Sequence, residues 1–272
     1  MSTAASALVL GGCSSLGLAA KKPEPDFVWS YLAHFGVNSW KDIPLETQDP
    51  SLPERWLTRC CADHVRFSEK SWRKLSAALA KAGCNQIVID LAEIVQYPSH
   101  PELAVKGSWS VEKLRAELDR LRGMGFEVIP KMNFSATHDT WLKDYHRMVS
   151  TRKYYEVCED LIKDVVEIFD HPRFFHLGYD EGFDVSKANE IGSPYVQTFE
   201  DLDNAGFDQV PTGSNWSCDT NFADTVKFCD AKCNKELIKG YMMAPWTRTF
   251  DIHEAKSLEA IAQMGAVIKA RG

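Results

Sequence analysis

Two adjacent carboxylates, Asp180 and Glu181, end the sequence HPRFFHLGYDE of residues 171–181. The apolar letters FF and L ahead of them are typical of a buried parallel strand. Carboxylates directly past a buried strand must either face water or take part in a function, because burying an unpaired charge is costly. The carboxyl ends of strands are also where α/β folds place their chemistry. The pair is therefore a candidate for acid and base catalysis, and the alternative is a loop salt bridge or a helix cap.

The same stretch resembles the His-x-Gly-Gly-Asp-Glu motif of the β-N-acetylhexosaminidases of glycoside hydrolase family 20. The motif here runs from His176 to Glu181, and Tyr179 stands in place of its second glycine. The resemblance implies that Glu181 protonates the leaving oxygen as general acid and later acts as base. It also implies that Asp180 holds and polarises the substrate's acetamido group, which attacks the anomeric carbon. Neighbouring carboxylates suit this mechanism better than one in which they flank the scissile bond.

A second similarity lies upstream, in VIPKMNFSATH of residues 128–138. At this place the family has a strand with Ile-Pro-Glu, followed by a Pro-Gly-His turn. The Ile-Pro pair and His138 match, whereas Lys131 and the two residues before His138 do not. The resemblance implies a (β/α) barrel that acts on glycans containing N-acetylhexosamine, with no cofactor.

Seven side chains are candidates for substrate binding because they lie near the ends of predicted strands or in the loops that follow them. In a barrel such positions converge on one cleft, and the indole of tryptophan packs well on the apolar face of a pyranose. Asp90 stands at the same kind of position. For His34, a hydrogen bond within the core is the alternative. The seven candidates are His34, Glu93, Asn133, His138, Tyr179, Trp216 and Trp246.

An alternation of strands and helices would position these residues. Ser68 and Ser110 are expected to cap helices with apolar stripes, and Gly83 is expected to end the first of them. A third helix with an apolar stripe is expected to begin at about Thr151. Such alternation predicts a parallel sheet with right-handed crossovers and hence a TIM-type barrel. We also predict helices at residues 222–228 and 258–264, a long loop at 41–63, and strands at 26–35, 86–91, 126–134, 174–177, 207–210 and 237–246.

Six predicted strands are fewer than the eight of a complete barrel. The shortfall lies between residues 181 and 207, which leave room for one strand and helix at most. We therefore expect the barrel to be incomplete or strained there, with an open sheet edge that favours association. The apolar residues 266–268 either extend the last helix or begin another strand.

The composition is that of an ordinary globular domain, with 272 residues, 44% hydrophobic and 25% charged. The net charge of -7, without a sustained run of Lys and Arg, argues against nucleic acid or an anionic membrane surface as the main partner. It predicts a neutral or cationic ligand instead. Residues 26–272 are expected to form one barrel domain.

The first 22 residues are expected to lie outside that domain. Small and apolar residues fill positions 1–20 and then give way to Lys-Lys-Pro, which indicates an export signal. Residues 10–13 also resemble a bacterial lipoprotein box, in which Cys13 would carry a lipid anchor. The predicted location is the periplasm, the cell surface or the medium. A disordered tail on a cytoplasmic protein is the alternative.

The function predicted from these features is hydrolysis of N-acetylhexosamine glycans, and two rivals share the barrel. One is a metal-dependent hydrolase or isomerase with His34, Glu93, His138 and Asp180 as ligands, although the sequence has no His-x-His or His-Glu-x-x-His motif. The other is a carbohydrate-binding barrel without catalysis, which Tyr179 and the short second half of the chain favour.

Overall fold

The computed structural model of the chain describes residues 23–135, 138–178, 206 and 208–272. The predicted export signal, Cys13 and the motif residues Tyr179, Asp180 and Glu181 lie outside these described residues. The segment in which we predicted missing strands falls outside them as well.

The described residues form an α/β structure of short parallel strands and longer helices. The strands are β1 (Val28–His34), β2 (Lys41–Pro44), β3 (Cys60–Cys61), β4 (Gln86–Asp90), β5 (Glu127–Lys131), β6 (Thr212–Gly213) and β7 (Gly240–Met243). The helices are α1 (Glu54–Leu57), α2 (Glu69–Ala82), α3 (Val111–Gly123), α4 (Arg152–Ile168), α5 (Asn221–Lys232) and α6 (Glu254–Arg271).

One parallel sheet of five strands has the order β5-β4-β1-β7-β6. The first strand lies at its centre, because the chain returns late to pair β7 with β1. Next to β5, His176 forms an isolated parallel bridge with Lys131, and a second bridge joins Gln209 to Ile238. The predicted parallel α/β sheet is thus confirmed, whereas the described residues do not show a closed ring of eight strands. In place of the predicted strands at 174–177 and 207–210, the described residues form only these single bridges at His176 and Gln209.

Two helices begin at the predicted caps Ser68 and Ser110, and a third begins after Thr151, near its predicted start. The side-chain oxygens of Ser68, Ser110 and Thr151 each accept the N–H of the residue three positions later, which satisfies a donor that the helix leaves open. Gly83 ends α2 with a φ of 90°. Helix α6 is longer than predicted and includes residues 266–268, which are therefore not a strand. The expected loop at 41–63 contains α1 and the small β2–β3 pair.

The two faces of the sheet bury different layers. Tyr31 and Ala33 alternate with Leu32 along β1, and they pack into the main core between the sheet and the helices. Leu32 belongs to a small separate cluster on the opposite face, with Val88, Ile129 and Ala244. Alternation along each strand sends every second side chain to that inner face. The residues two positions after this apolar layer therefore face the same side, at the carboxyl ends of the strands.

The structure bears on two further features of the sequence. Within the part of the chain that it describes, no helix combines the length and apolar character needed to cross a membrane. The described cysteines are all free thiols, and Cys84, Cys158 and Cys229 are among the buried ones. We therefore find no disulfide among these cysteines.

Candidate functional site

One row of side chains crosses the sheet at the carboxyl ends of its strands. His34 is in register with Asp90, and Asp90 with Lys131. Parallel bridges extend the row to Arg248 beside His34 and to His176 beside Lys131. Residues in register on neighbouring parallel strands share one face and lie ~4.8 Å apart. The row thus collects polar groups from five separate segments of the chain above the apolar inner layer.

Asp90 is the centre of a buried hydrogen-bond network within this row. Its Oδ2 accepts from His34 Nδ1 at 2.8 Å and lies 3.5 Å from Lys131 Nζ. Its Oδ1 accepts from Asn133 Nδ2 at 2.7 Å, and Lys131 donates to Asn133 Oδ1. Burial raises the pKa of Asp90, but the charge of Lys131 and the hydrogen bond with His34 outweigh it and leave the pKa below its usual range. Asp90 is therefore an ionised carboxylate.

His34 presents one ring nitrogen to Asp90 and leaves the other without a partner. Only 2% of the residue is exposed, and its Nε2 has no hydrogen-bond partner among the described residues. Burial lowers the pKa of His34, although the hydrogen bond with Asp90 acts in the opposite direction. The neutral ring with its proton on Nδ1 donates to Asp90, so that Nε2 carries a lone pair. His34 can therefore accept a hydrogen bond from a hydroxyl group that enters the site.

A cavity of about 440 Å³ lies above this network. Its volume falls within the ~300–1,000 Å³ of typical small-molecule sites. The cavity combines three tryptophans with charged and polar side chains from the row and from the loops that follow the strands. The residues that line it are His34, Trp40, Arg59, Asp90, Lys131, Asn133, His138, Trp216, Trp246 and Arg248.

Aromatic side chains form much of the wall. Trp40 meets the rings of His34 and His138 edge to face, at centroid distances of 5.6 and 5.9 Å. Trp246 lies 6.3 Å from the His34 ring and has a φ of 58°. A bulky residue in this left-handed region costs ~1–3 kcal/mol, and such strain is concentrated at functional sites. Trp216 is 43% exposed at the edge of the cavity.

Arg248 is the second buried cation of the cavity, after Lys131. Its guanidinium carbon lies 4.1 Å from the centroid of the Trp40 ring, and its Nη1 donates to the carbonyl oxygen of Trp246 at 3.3 Å. Burial lowers the pKa of Arg248 to about 10, with further lowering by the positive charges of Arg59 and Arg66. Arg248 remains charged near neutral pH and holds Trp40 and Trp246 in place.

The structure brings together five of the seven candidates for substrate binding. His34, Asn133, His138, Trp216 and Trp246 line the same cavity. The Nδ1 atom of His138 lies 3.2 Å from Ser135 Oγ, within hydrogen-bond distance. These placements agree with the expectation that strand ends converge, while the binding roles themselves stay predictions.

Glu93 does not line this cavity. Its carboxylate accepts the backbone N–H groups of Val37, at 2.8 and 3.0 Å, and of Asn38, at 2.9 Å. It faces a neighbouring depression instead, and burial raises its pKa. Glu93 thus fixes the backbone that follows β1, which is why its strand-end position does not bring it to the cleft.

The seventh binding candidate, Tyr179, and the two catalytic candidates, Asp180 and Glu181, lie outside the described residues, and Gly178 directly precedes them. Gly178 has a φ of 63°, and a Cβ atom there would lie 2.1 Å from the carbonyl oxygen of Met132. Only glycine fits such a close approach. The motif glycine is therefore required by its contact with the segment that carries Asn133.

Sequence reasoning missed some residues of the cavity. Lys131 was noted only as a departure from the family pattern, and Trp40 was not among the candidates. Arg59 lies in the segment predicted as a loop, and Arg248 lies beyond β7, so neither has a local signal. The bridge between His34 and Arg248 joins residues more than two hundred positions apart, and no motif marks it.

The described residues also bear on the metal-dependent rival. Among them, no three His, Cys, Asp or Glu side chains are grouped as metal ligands would be. His34 and His138 share the cavity, but Glu93 is engaged with the backbone and Asp180 is outside the described residues. The ligand set proposed from the sequence is therefore not assembled in this part of the chain.

Two solved structures are similar to this fold. The crystal structure of the β-N-acetylhexosaminidase from Bacteroides fragilis NCTC 9343 matches with a TM-score of 0.58 and 10% identity, over 88% of this chain and 66% of that chain. That of Dispersin B matches with a TM-score of 0.51 and 13% identity, over 76% of this chain and 96% of that chain. No protein-family model and no curated protein matches the sequence. At these identities the likeness shows the fold alone, which is similar to that of a glycoside hydrolase.

Proposed function

We propose that this chain is a glycoside hydrolase that acts on glycans containing N-acetylhexosamine, by substrate-assisted retaining hydrolysis. The observation that carries the proposal is the cavity at the strand ends, in which tryptophan walls stand above a floor of buried polar groups. Carbohydrate sites need both features, because a sugar ring has apolar faces and hydroxyl groups around its edge. The similarity of the fold to that of a β-N-acetylhexosaminidase supports the choice of substrate.

The described side chains can bind and orient a sugar ring in this proposal. Trp40 and Trp246 offer aromatic surfaces, and Nε2 of His34, which has no partner among the described residues, can accept a hydrogen bond from a sugar hydroxyl. The ionised Asp90 and the adjacent Asn133 add acceptors and donors that the network holds in fixed positions. Such pre-ordered groups reduce the entropy that binding must overcome.

The proposed chemistry falls to the two carboxylates of the motif. Glu181 gives a proton to the leaving oxygen, and the acetamido oxygen of the substrate attacks the anomeric carbon while Asp180 stabilises the positive charge that develops. Glu181, which is now a carboxylate, then takes a proton from a water molecule, and that water attacks the anomeric carbon and opens the cyclic intermediate. The anomeric configuration is retained because two inversions occur.

A screen of aryl glycosides tests the proposal. The purified chain is incubated with para-nitrophenyl N-acetyl-β-glucosaminide, with the matching galactosaminide, and with para-nitrophenyl β-glucoside, which lacks the acetamido group. We expect release of nitrophenol from the acetamido sugars and little from the glucoside, since the internal nucleophile is then missing. Equal turnover of all three would contradict substrate assistance. Sugar binding in a calorimeter without any turnover would favour the carbohydrate-binding rival.

A further inference from the structure

The charges that line the cavity do not balance. Lys131, Arg59 and Arg248 are cationic, whereas Asp90 is the one carboxylate among the described lining residues. Lys131 and Asp90 form an ion pair with 3.5 Å between Nζ and Oδ2. The two guanidinium groups are left over. The described residues that line the cavity thus carry a net positive charge, on a chain whose net charge is -7. This is the opposite of what the whole-chain charge predicted for its ligand.

Arg248 is both buried and incompletely satisfied. It is 4% exposed, and its Nε has no hydrogen-bond partner among the described residues. No described carboxylate lies within 4 Å of its guanidinium or of that of Arg59, since neither takes part in an ion pair there. Its stacking on Trp40 orients the group but does not neutralise it. Leaving a buried charge unpaired is costly, so this guanidinium is poised for an anion.

The neighbouring cations strengthen this argument. The charges of Arg59 and Arg66 act on Arg248 in the same direction as burial, and each disfavours its charged form. Asp90 acts in the opposite direction, but it is already engaged by His34, Lys131 and Asn133. An anionic group in the cavity would relieve the repulsion and accept the free N–H groups in charge-assisted hydrogen bonds.

We propose that Arg248 and Arg59 form a site for an anionic substituent of the sugar, so that the substrates are acidic glycans that carry a carboxylate or a sulfate ester. This inference rests on the proposed function and names its substrate class. The anionic substituent of the ligand supplies the negative charge that the described lining residues do not offer to these two guanidinium groups.

Binding of free sugars to the full chain tests this site by titration calorimetry. The probes are N-acetylglucosamine, N-acetylglucosamine sulfated on its primary hydroxyl, and N-acetylmuramic acid, which carries a carboxylate. We expect at least one acidic sugar to bind about tenfold more tightly than the neutral one at low salt, with the difference shrinking at high salt. The acidic sugar that binds better identifies sulfate or carboxylate as the preferred group.

Variants separate this site from general electrostatic attraction. Arg59 is exposed, so Arg59→Gln should fold, and we expect it to lower the preference for the acidic sugar about threefold. Arg248→Lys keeps the charge but loses the planar fork, and it should weaken the preference further. The matched control is Arg55→Gln, an exposed arginine in α1 that does not line the cavity and should leave the preference unchanged.

The outcomes distinguish this inference from the proposed function. Equal or tighter binding of the neutral sugar in the wild type would overturn the anion site and leave the hydrolase proposal standing. An equal loss of preference in Arg55→Gln and Arg59→Gln would also overturn it. Preferential binding of an acidic sugar, without hydrolysis of any aryl N-acetylhexosaminide including the 6-sulfated N-acetylglucosaminide, would support the site and contradict the hydrolase. Absence of binding by all three sugars would overturn both.

Discussion

The carboxylate of Asp90 is fully buried and yet ionised, and its partners explain how. His34 and Asn133 each donate a hydrogen bond to it, and Lys131 supplies a compensating charge. Burial of the carboxylate is costly on its own, so the network is stable only while all of its members are present. The same network forms the floor of the cavity, so the same residues contribute to stability and to the proposed binding of sugar.

We expect Asp90→Asn to lower the free energy of unfolding by about 3–5 kcal/mol, because Lys131 would remain buried without its counter-charge. Urea denaturation measures the change. Asp63→Asn, at a side chain that is 84% exposed, is the control and should alter stability by less than about 0.5 kcal/mol. The double variant Asp90→Asn with Lys131→Met should lose less free energy of unfolding than the sum of the losses in the two single variants. A strictly additive result would show that the two groups are not coupled.

His34 gives the stability a dependence on pH. Burial lowers its folded pKa below the unfolded value of about 6.5, so the unfolded chain binds more protons and stability falls as the pH drops below that value. The buried Glu93 has a raised pKa and acts in the opposite direction. The test is therefore the difference between wild type and His34→Gln in denaturation between about pH 7.5 and 5.5. The variant should lose less stability over this range, and identical slopes would contradict the assignment.

At the residue scale, the sequence predicts part of the site. Strand-end position pointed to His34, Asn133 and Trp246, because the ends of parallel strands converge whatever their partners are. The same reasoning failed to bring Glu93 to the cavity, since position does not reveal which backbone groups a carboxylate will bind. The net charge of the chain predicted a neutral or cationic ligand, whereas the described residues that line the cavity carry an excess of positive charge.

At the scale of elements, local signals were the most reliable. The first turns of α2 and α3 lie where their caps predict, because a cap is a contact between residues three positions apart. Helix α4 begins near its predicted start at Thr151. Short strands were harder to predict. Thr212–Gly213 is a strand only because it pairs with Met242 and Met243, and that partner lies about thirty positions away. The β2–β3 pair inside the predicted loop has the same origin.

Helix α4 allows a direct test of its cap. Thr151 Oγ1 accepts the N–H of Tyr154 at 3.2 Å, and Thr151→Ala should lower the free energy of unfolding by about 1 kcal/mol. Thr151→Ser retains the oxygen and serves as the control, with stability close to that of the wild type. Thermal or urea denaturation compares the three proteins. Equal stability of the alanine and serine variants would show that the cap contributes nothing.

Gly178 allows a test of the segment that carries the motif. An alanine Cβ would lie 2.1 Å from Met132 O and 2.9 Å from Asn133 Oδ1, at a φ that disfavours alanine. We expect Gly178→Ala to displace this segment, to lower stability by more than about 1 kcal/mol, and to weaken sugar binding. Gly123→Ala is the control, because no heavy atom lies within 4 Å of its added Cβ. If Gly178→Ala matched the control in both measurements, the close contact would not matter.

For the whole molecule, the sequence predicted the class of fold but not its closure. Alternating strands and helices indicated a parallel sheet, and the described sheet is parallel throughout. Pairing of β1 with β7 brings Val28 beside Gly240, so the two ends of the described chain share one sheet and one cavity. Such pairing depends on distant partners and has no local signal. The expected gap between residues 181 and 207 concerns a segment outside the described residues and stays a prediction.

The measurement that tests the central claim most directly is the rate of hydrolysis of N-acetylhexosaminides with good and poor leaving groups by wild type, Glu181→Gln and Asp180→Asn. Without its acid, Glu181→Gln should lose on the order of 10²–10⁴-fold on poor leaving groups and much less on activated aryl groups. Asp180→Asn should slow hydrolysis of both kinds of substrate, because the acetamido group must attack whether the leaving group is good or poor. The same ratio of the two rates in Glu181→Gln and wild type, or no hydrolysis by the wild type, would contradict the proposed function.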